Sequence, residues 1–424
     1  MTPLRSLPCL LLTAQLAAQV LVVDPAGGGH SRTIQGAVDM AGNGAVILVR
    51  AATYDEAVTI RGKALTLLGE VGARVASPVG NQITIANHPA GGVTRIARLR
   101  LGQDYTFVPG VLGVDVTGGS GTLHLDELLL TRPLRVRGFG GALTMSRCMV
   151  RPSTVSFGGT EIPLPGIDLR DTAPAVLSDC DIEGAKGVPD RENPGPGMPA
   201  LLATKCTLEL VRPRFQGGLG GQYLRSLGAV IEGDSGNGIE LNAATARMHG
   251  APGSFVRGRT PESFQFRIPA GGTGIVLNGS RLEHGAVVVA GGGGQLPGPA
   301  FRADATSVRV PVTRPVPTLG RDGGYRIGQR TVLDVYGDAG APGAFVITTH
   351  MTWAPLPFGP LFADPSMIGF SLGFTLDSSG AFRHPLALPF DVATIGSVFV
   401  AQPATLDPSL RLTLGGPDIA VVTW

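Results

Sequence analysis

Ala97-Arg98-Leu99-Arg100-Leu101, Asp126-Glu127-Leu128-Leu129-Leu130, Ser146-Arg147-Cys148-Met149-Val150, Ser178-Asp179-Cys180-Asp181-Ile182 and Thr204-Lys205-Cys206-Thr207-Leu208 decide how this sequence is read. Each runs small or polar, charged, apolar, any residue, aliphatic. Their third positions are 29, 20, 32 and 26 residues apart. A globular domain has no reason to return to one strand pattern at such intervals. A solenoid does, because each winding contributes one strand per face and stacking buries alternate positions as a continuous column. Leu99, Leu128, Cys148, Cys180 and Cys206 are therefore expected to point inward. Unequal spacing is what insertions in outward turns produce, and the proline-rich stretch 187–199 reads as one of them.

Toward the N-terminus, Val20 to Val23 is a short apolar strand, and Asp24-Pro25 with Gly27-Gly28-Gly29 signals a turn. Thr33 can cap a helix through Ala41 in which Ile34, Ala37, Val38 and Ala41 form one apolar stripe, stopped by Gly42-Asn43-Gly44. A short helix with one apolar face needs something to cover. Before it, Arg5, the apolar run 7–18 and Ala17-Ala18-Gln19 read as a signal peptide over residues 1–19. That run is too short to cross a bilayer, which takes about 20 residues, and no later stretch is continuously apolar at that length. The expectation is a bacterial protein, secreted and extracellular or at the cell surface, with no transmembrane span.

Toward the C-terminus a looser continuation runs through 229–232, 239–241, 264–268, 275–277 and 286–290, so the coil is expected over 20–310. Prolines 311, 315 and 317 mark an extended linker, placed at 311–320. Beyond it, over 321–424, runs at 331–336, 344–349, 370–376, 387–390, 398–402, 410–414 and 419–423 are short strands divided by Gly, Pro and Asp. That pattern fits an antiparallel β-sandwich.

Val22-Val23-Asp24, Thr33-Ile34-Gln35-Gly36-Ala37-Val38, Val46 to Val49, Ala52-Thr53-Tyr54-Asp55-Glu56 and Leu65-Thr66-Leu67-Leu68-Gly69 resemble, in order and spacing, the N-terminal cap and first coils of the pectin lyase-like superfamily. The resemblance implies a right-handed parallel β-helix whose amphipathic helix plugs the N-terminal end. The same region is similar to pectin methylesterases, where a Gly-x-Tyr-x-Glu motif stands, with Ala52 in place of the glycine here. Leu386-Ala387-Leu388-Pro389-Phe390 and 395–402 resemble β-sandwich modules that end many secreted bacterial proteins.

Composition narrows the function. Apolar residues make up 43% of the chain, enough for a core despite 63 glycines, so disorder is excluded. A net charge of +2 without a basic run leaves no electrostatic footprint for nucleic acid. Aromatics at 5% argue against the girdles of an outer-membrane barrel. Cys148, Cys180 and Cys206 are odd in number and fit no zinc spacing, so they are expected as small core residues. His124, His284, His350 and His384 lack ligand spacing and read as surface or turn residues, and Gly291 to Gly294 as a turn.

An esterase of the resembling superfamily would need one Asp as nucleophile, a second as acid/base, and Gln and Arg at the oxyanion. Gln103-Asp104-Tyr105 is the nearest fragment, and the remaining motifs are missing. A lyase needs carboxylates that hold Ca²⁺ against a uronate and an Arg or Lys as base. Asp168, Arg170, Asp171, Asp179 and Asp181, with Glu183, form the densest acidic cluster. With Cys180 inward, Asp179 and Asp181 would point out from one strand, about 7 Å apart. The competing reading is an ordinary solvated outer face. The sequence thus points to a non-enzymatic protein without a cofactor that binds polysaccharide or a cell-surface glycan. The alternative is a divergent polysaccharide lyase or hydrolase acting on acidic glycans, with Ca²⁺ implied only there.

Overall fold

A computed structural model of the chain describes residues 19–102, 111–152, 163–172, 174–189, 194–224, 230–262, 269–312, 315–388 and 390–424. From Val20 to Pro311 the chain winds through three parallel sheets in a fixed order, here named A, B and C. Sheet A has eleven strands, from Val20–Val23 to Val308–Pro311. Sheet B has nine, from Thr53–Tyr54 to Val288–Ala290, and sheet C nine, from Val58–Arg61 to Phe301–Ala303. Parallel strands joined by one-way crossovers wind right-handed, and the result is a right-handed parallel β-helix. One continuous interior of Ile, Leu, Val and Ala fills it, from Leu21 to Leu282.

The helix Ile34–Met40 covers the open end of this interior with Ile34, Ala37 and Val38 buried. Thr33 Oγ1 accepts from Gly36 N at 3.1 Å, as its position in the sequence requires. Glu56 completes the cap from the next winding, its carboxylate accepting from the backbone N–H groups of Ile34 (2.7 Å) and Gln35 (2.9 Å). A carboxylate at a helix N-terminus meets both free donors and the positive end of the helix dipole.

The repeated pentapeptide is a corner, not a strand centre. Its charged second residue takes a left-handed backbone: φ is 57° at Arg98, 50° at Glu127, 52° at Arg147 and 52° at Asp179. Such a conformation costs a non-glycine residue roughly 1–2 kcal/mol, but it swings the chain from sheet A into sheet B and drops the third residue inward. Leu99, Leu128, Cys148 and Cys180 are each 1% exposed. They are stacked, since Leu129 N donates to Leu99 O, Met149 N to Leu128 O and Asp181 N to Cys148 O. Cys206 is buried but breaks the column. It follows left-handed Lys205 (φ 53°) at the corner from sheet C into sheet A, and Thr245 N bonds its carbonyl. The rung above Cys180 at the first corner is Pro213, because Arg214 N donates to Cys180 O. Two corners of one winding use the same local device, so sequence similarity alone put Cys206 in the wrong stack.

Among the looser strands, Ile239–Asn242, Ile275–Asn278 and Val288–Ala290 join the coil, together with Thr245–His249, Phe255–Arg257 and Arg281–Gly285, which the sequence pattern does not mark. Val230–Glu232 instead pairs antiparallel with Gln222–Leu224 outside the ladders, and 264–268 lies outside the described residues.

The long connections from sheet B to sheet C in four successive windings stack on one another mainly through backbone groups, with side-chain links such as Lys186 to Gln222 and Ala270 N to Asp234. Gly184, Gly187, Gly217, Gly218, Gly220, Gly221, Gly233, Gly236, Gly258, Gly272, Gly291 and Gly292 each face a neighbouring backbone so closely that a Cβ would lie well under 3.0 Å from it. Gly218 N donates to Met198 O, Gly236 N to Gly218 O, Gly272 N to Arg259 O, Gly292 N to Gly272 O and Gly298 N to Gly292 O. None of these glycines has a positive φ, and the spacing of three in Gly184/Gly187, Gly218/Gly221 and Gly233/Gly236 is the period of a polyproline II chain. The inserts form a bundle of chains outside the three ladders, packed side by side where only hydrogen atoms fit. Gly291 and Gly292, expected in a turn, belong to this bundle, and Gly294 with φ 112° makes the turn.

The C-terminal part is an antiparallel sandwich. One sheet orders Thr318–Asp322, Arg330–Tyr336 and Ala381–Ala387. The other centres on Val398–Leu406, which pairs with Pro342–Thr348, Leu412–Leu414 and Asp418–Val421, while Ile368–Thr375 lies outside Pro342–Thr348. Leu319, Leu333, Val335, Phe345, Phe374 and Ala401 fill the space between. The strand expected at 387–390 ends at Ala387, and the first sandwich strand begins at Thr318, inside the stretch read as linker.

This sandwich lies against the outer face of sheet A. Leu68, Ala97 and Val176 on the coil pack with Phe362, Val398, Val400, Ile419 and Val421. Beside them Arg321, with a fully buried side chain, bridges Asp126 (3.0 Å) and Asp418 (3.1 Å), and Val421 N donates to Asp126 Oδ2 at 2.9 Å.

Candidate functional site

The sequence-named residues separate onto two faces. Asp168 and Arg170 stand on sheet C, on the strand Ile167–Arg170, with Asp171 at the corner that follows. Asp181 stands on sheet B, and Asp179 is not on its strand at all but at the left-handed corner before it. The expectation that the two project from one strand fails for that reason.

On sheet C, register places Asp115, Arg135 and Asp168 on successive rungs, with Arg137 and Arg170 in the neighbouring column. Arg135 holds Asp115 with two bonds, Nε–Oδ1 at 2.9 Å and a second nitrogen to Oδ2 at 2.8 Å. Asp168 accepts from Arg170 Nε at 2.8 Å and from Arg137 at 3.3 Å. The carboxylates are the covered members: the Asp168 side chain is 2% exposed, against 42% for Arg137 and 43% for Arg170. What solvent meets on this face is a row of guanidinium groups fixed from beneath by acids. The bond to Asp115 raises the pKa of Arg135 further, and it stays charged at every accessible pH.

On the corner between sheets A and B the charges alternate along the stack: Arg98, Glu127, Arg147, Asp179, Arg212. Asp179 pairs with Arg212 at 2.8 Å and Glu127 with Arg147 at 3.7 Å. Burial pushes the Asp179 carboxyl up to about 6, with Arg212 opposing it. The sandwich attaches to this ladder: Arg98 donates to Trp424 O at 2.9 Å, Arg147 to Gly323 O, and Arg326 lies 3.9 Å from Glu127. Asp179 and Asp181 line a cleft of about 280 Å³ there, with Arg147, Arg212, Arg214 and Arg321. Arg151 also holds Asp181, at 3.2 Å. These side chains join two parts of the molecule.

His124 corrects another expectation. It is 4% exposed, its Nδ1 lies 2.6 Å from Thr144 Oγ1, and burial, with Arg95 adding to it, forces its pKa down to about 3. The nearest esterase-like fragment, Gln103-Asp104, lies outside the described residues. Asp115, Arg135 and Arg137 carried no sequence signal as site residues, because only the strand register brings them beside Asp168.

No protein family and no curated protein matches this sequence. Likeness to solved structures is weak, as two of them illustrate. One is the superoxide reductase (neelaredoxin) from Ignicoccus hospitalis, 10% identical, covering 26% of this chain and 81% of its own at a TM-score of 0.17. The other is the enzymatically active domain of tailspike protein 4 from bacteriophage CBA120, 9% identical, covering 89% of this chain and 64% of its own at a TM-score of 0.20. At these scores neither bears on fold or activity, and the β-helix rests on its own strand ladders. Among the described residues no helix is long and apolar enough to cross a membrane.

Proposed function

We propose that this is a secreted, non-enzymatic protein that binds polysaccharide or a cell-surface glycan along sheet C. The observation that supports this most is the row of Arg135, Arg137 and Arg170 held over a flat sheet by Asp115 and Asp168. Guanidinium groups fixed in advance lose little entropy on binding and offer paired donors to hydroxyl and carboxylate oxygens. Rungs about 4.8 Å apart present such donors at regular steps to an extended polymer.

The pairing also weighs against a lyase. Asp168 is engaged by two arginines, Asp179 by Arg212, Asp181 by Arg151, and Asp171 lies 3.9 Å from Lys205. A carboxylate committed to an arginine is a poor Ca²⁺ ligand, and the acids lie on different faces.

A glycan array tests the reading. Binding of wild-type protein to acidic polysaccharides is expected, and the Arg137→Ala/Arg170→Ala double variant is expected to lose at least tenfold in affinity, about 1.4 kcal/mol. Retention should be unchanged by Ca²⁺ or chelator. Failure of the wild type to retain any glycan, or chain cleavage with new unsaturated ends, would overturn it.

A further inference from the structure

We infer that the cleft between sheet A and the sandwich at Arg95 is a second binding site, one that takes an oxyanion group, a carboxylate or sulfate, on a molecule no larger than a sugar unit. Arg95 and His124 are successive rungs of one outward column of sheet A. They form one wall of a cleft of about 350 Å³, and Thr349, His350 and Ser397 of the sandwich form the other.

The charge balance of the docked face singles Arg95 out. Arg321 faces two carboxylates, Arg212 has Asp179, Arg147 has Glu127, and Arg247 lies between Glu209 and Glu283. Arg95 has no acid among the described residues. Its guanidinium makes one long bond, 3.4 Å to Thr66 Oγ1, and its Nε is buried without a partner. Behind the opposite wall Asp364 interacts with His350, its N–H donating to His350 O at 3.3 Å, while its carboxylate accepts from Ser366 N (2.9 Å) and Oγ (2.7 Å). A half-buried cation with no counter-charge is costly, and an anion entering the cleft from solvent supplies that charge together with acceptors for the guanidinium. His124 stays uncharged beside Arg95, so the wall carries one positive charge and a polar ring, and His350, Thr349 and Ser397 offer further polar groups. The volume falls at the small end of the range for ligand sites. This inference stands apart from the glycan reading for sheet C, since the two surfaces share no residue.

Calorimetry and amide NMR on the full chain would decide it, with inorganic sulfate, glucuronate and glucose as probes. Saturable binding of sulfate or glucuronate but not glucose is expected, with shifts at Thr349, His350 and Ser397. Sulfate alone assigns the site to free inorganic ions, and glucuronate alone or better assigns it to acidic sugars. Arg95→Gln should weaken binding at least tenfold. If that variant is poorly folded, His350→Ala on the exposed wall should weaken binding several-fold with an unchanged melting temperature. The inference is overturned if wild type shows no saturable anion binding, if glucose binds equally well, or if folded Arg95→Gln binds as wild type does. Arg137→Ala/Arg170→Ala should leave sulfate binding intact, which separates this outcome from failure of the sheet C proposal.

Discussion

Arg321→Met is expected to destabilise the protein by about 3–5 kcal/mol, because it leaves Asp126 and Asp418 buried together without their cation. The geometry makes the loss severe: the Arg321 and Asp418 side chains are fully buried and that of Asp126 nearly so. The defect should depend on pH with a defined sign. Burial, opposed by Arg321, raises the Asp126 carboxyl in the folded protein from its ordinary 3.8 to about 7. A folded pKa above the unfolded one means that the native state holds the proton more tightly. This contribution is therefore complete below about pH 4 and is lost as pH rises through 7. Without Arg321 the folded pKa climbs further, so the variant should lie closer to wild type at pH 5 than at pH 8. Denaturant titrations at the two pH values read this directly, and an equal deficit at both would show that the pair does not govern docking. Replacing all three charged residues with apolar ones should recover much of the loss, since a buried ion pair seldom outperforms good packing.

Gly272→Val is expected to cost about 3 kcal/mol, the upper end of what overpacking does to a filled site. A Cβ there would press on the carbonyl group of Gly236, which is backbone of another stacked chain and cannot swing aside as a side chain would. Gly140→Ala is the matched control. Its Cβ would meet nothing nearer than 3.6 Å, and the loss of unfolded-state freedom could even stabilise it slightly. Thermal melts of the two variants should diverge by several degrees. Similar melting points would mean that the glycine chains are not packed as described.

The β-helix was legible because its corners repeat a chemical device over successive windings from Arg98 to Asp179: a charged residue in a left-handed backbone, then an inward apolar one. Leu99, Leu128, Cys148 and Cys180 follow it faithfully. The same device serves a second corner, and nothing local distinguishes Thr204-Lys205-Cys206 from Ser178-Asp179-Cys180. The glycine-rich inserts read as turns, since their packing depends on chains from other windings that sequence proximity does not connect. Docking of the sandwich was illegible for a related reason. Asp126 meets Arg321 and Asp418 only after both domains have formed, and an acid at the end of a strand carries no mark of a partner so distant along the chain. The candidate site was partly legible: Asp168 and Arg170 lie together, but the arginines that cover them come from other rungs.

The glycine bundle also shapes how this protein responds to temperature. Melting it bares more peptide surface and less hydrocarbon than melting the aliphatic interior does, and polar exposure lowers the heat capacity of the unfolded chain where apolar exposure raises it. The inserts thus flatten the curve of stability against temperature, leaving this part of the molecule less vulnerable to cold than the aliphatic interior it grows from.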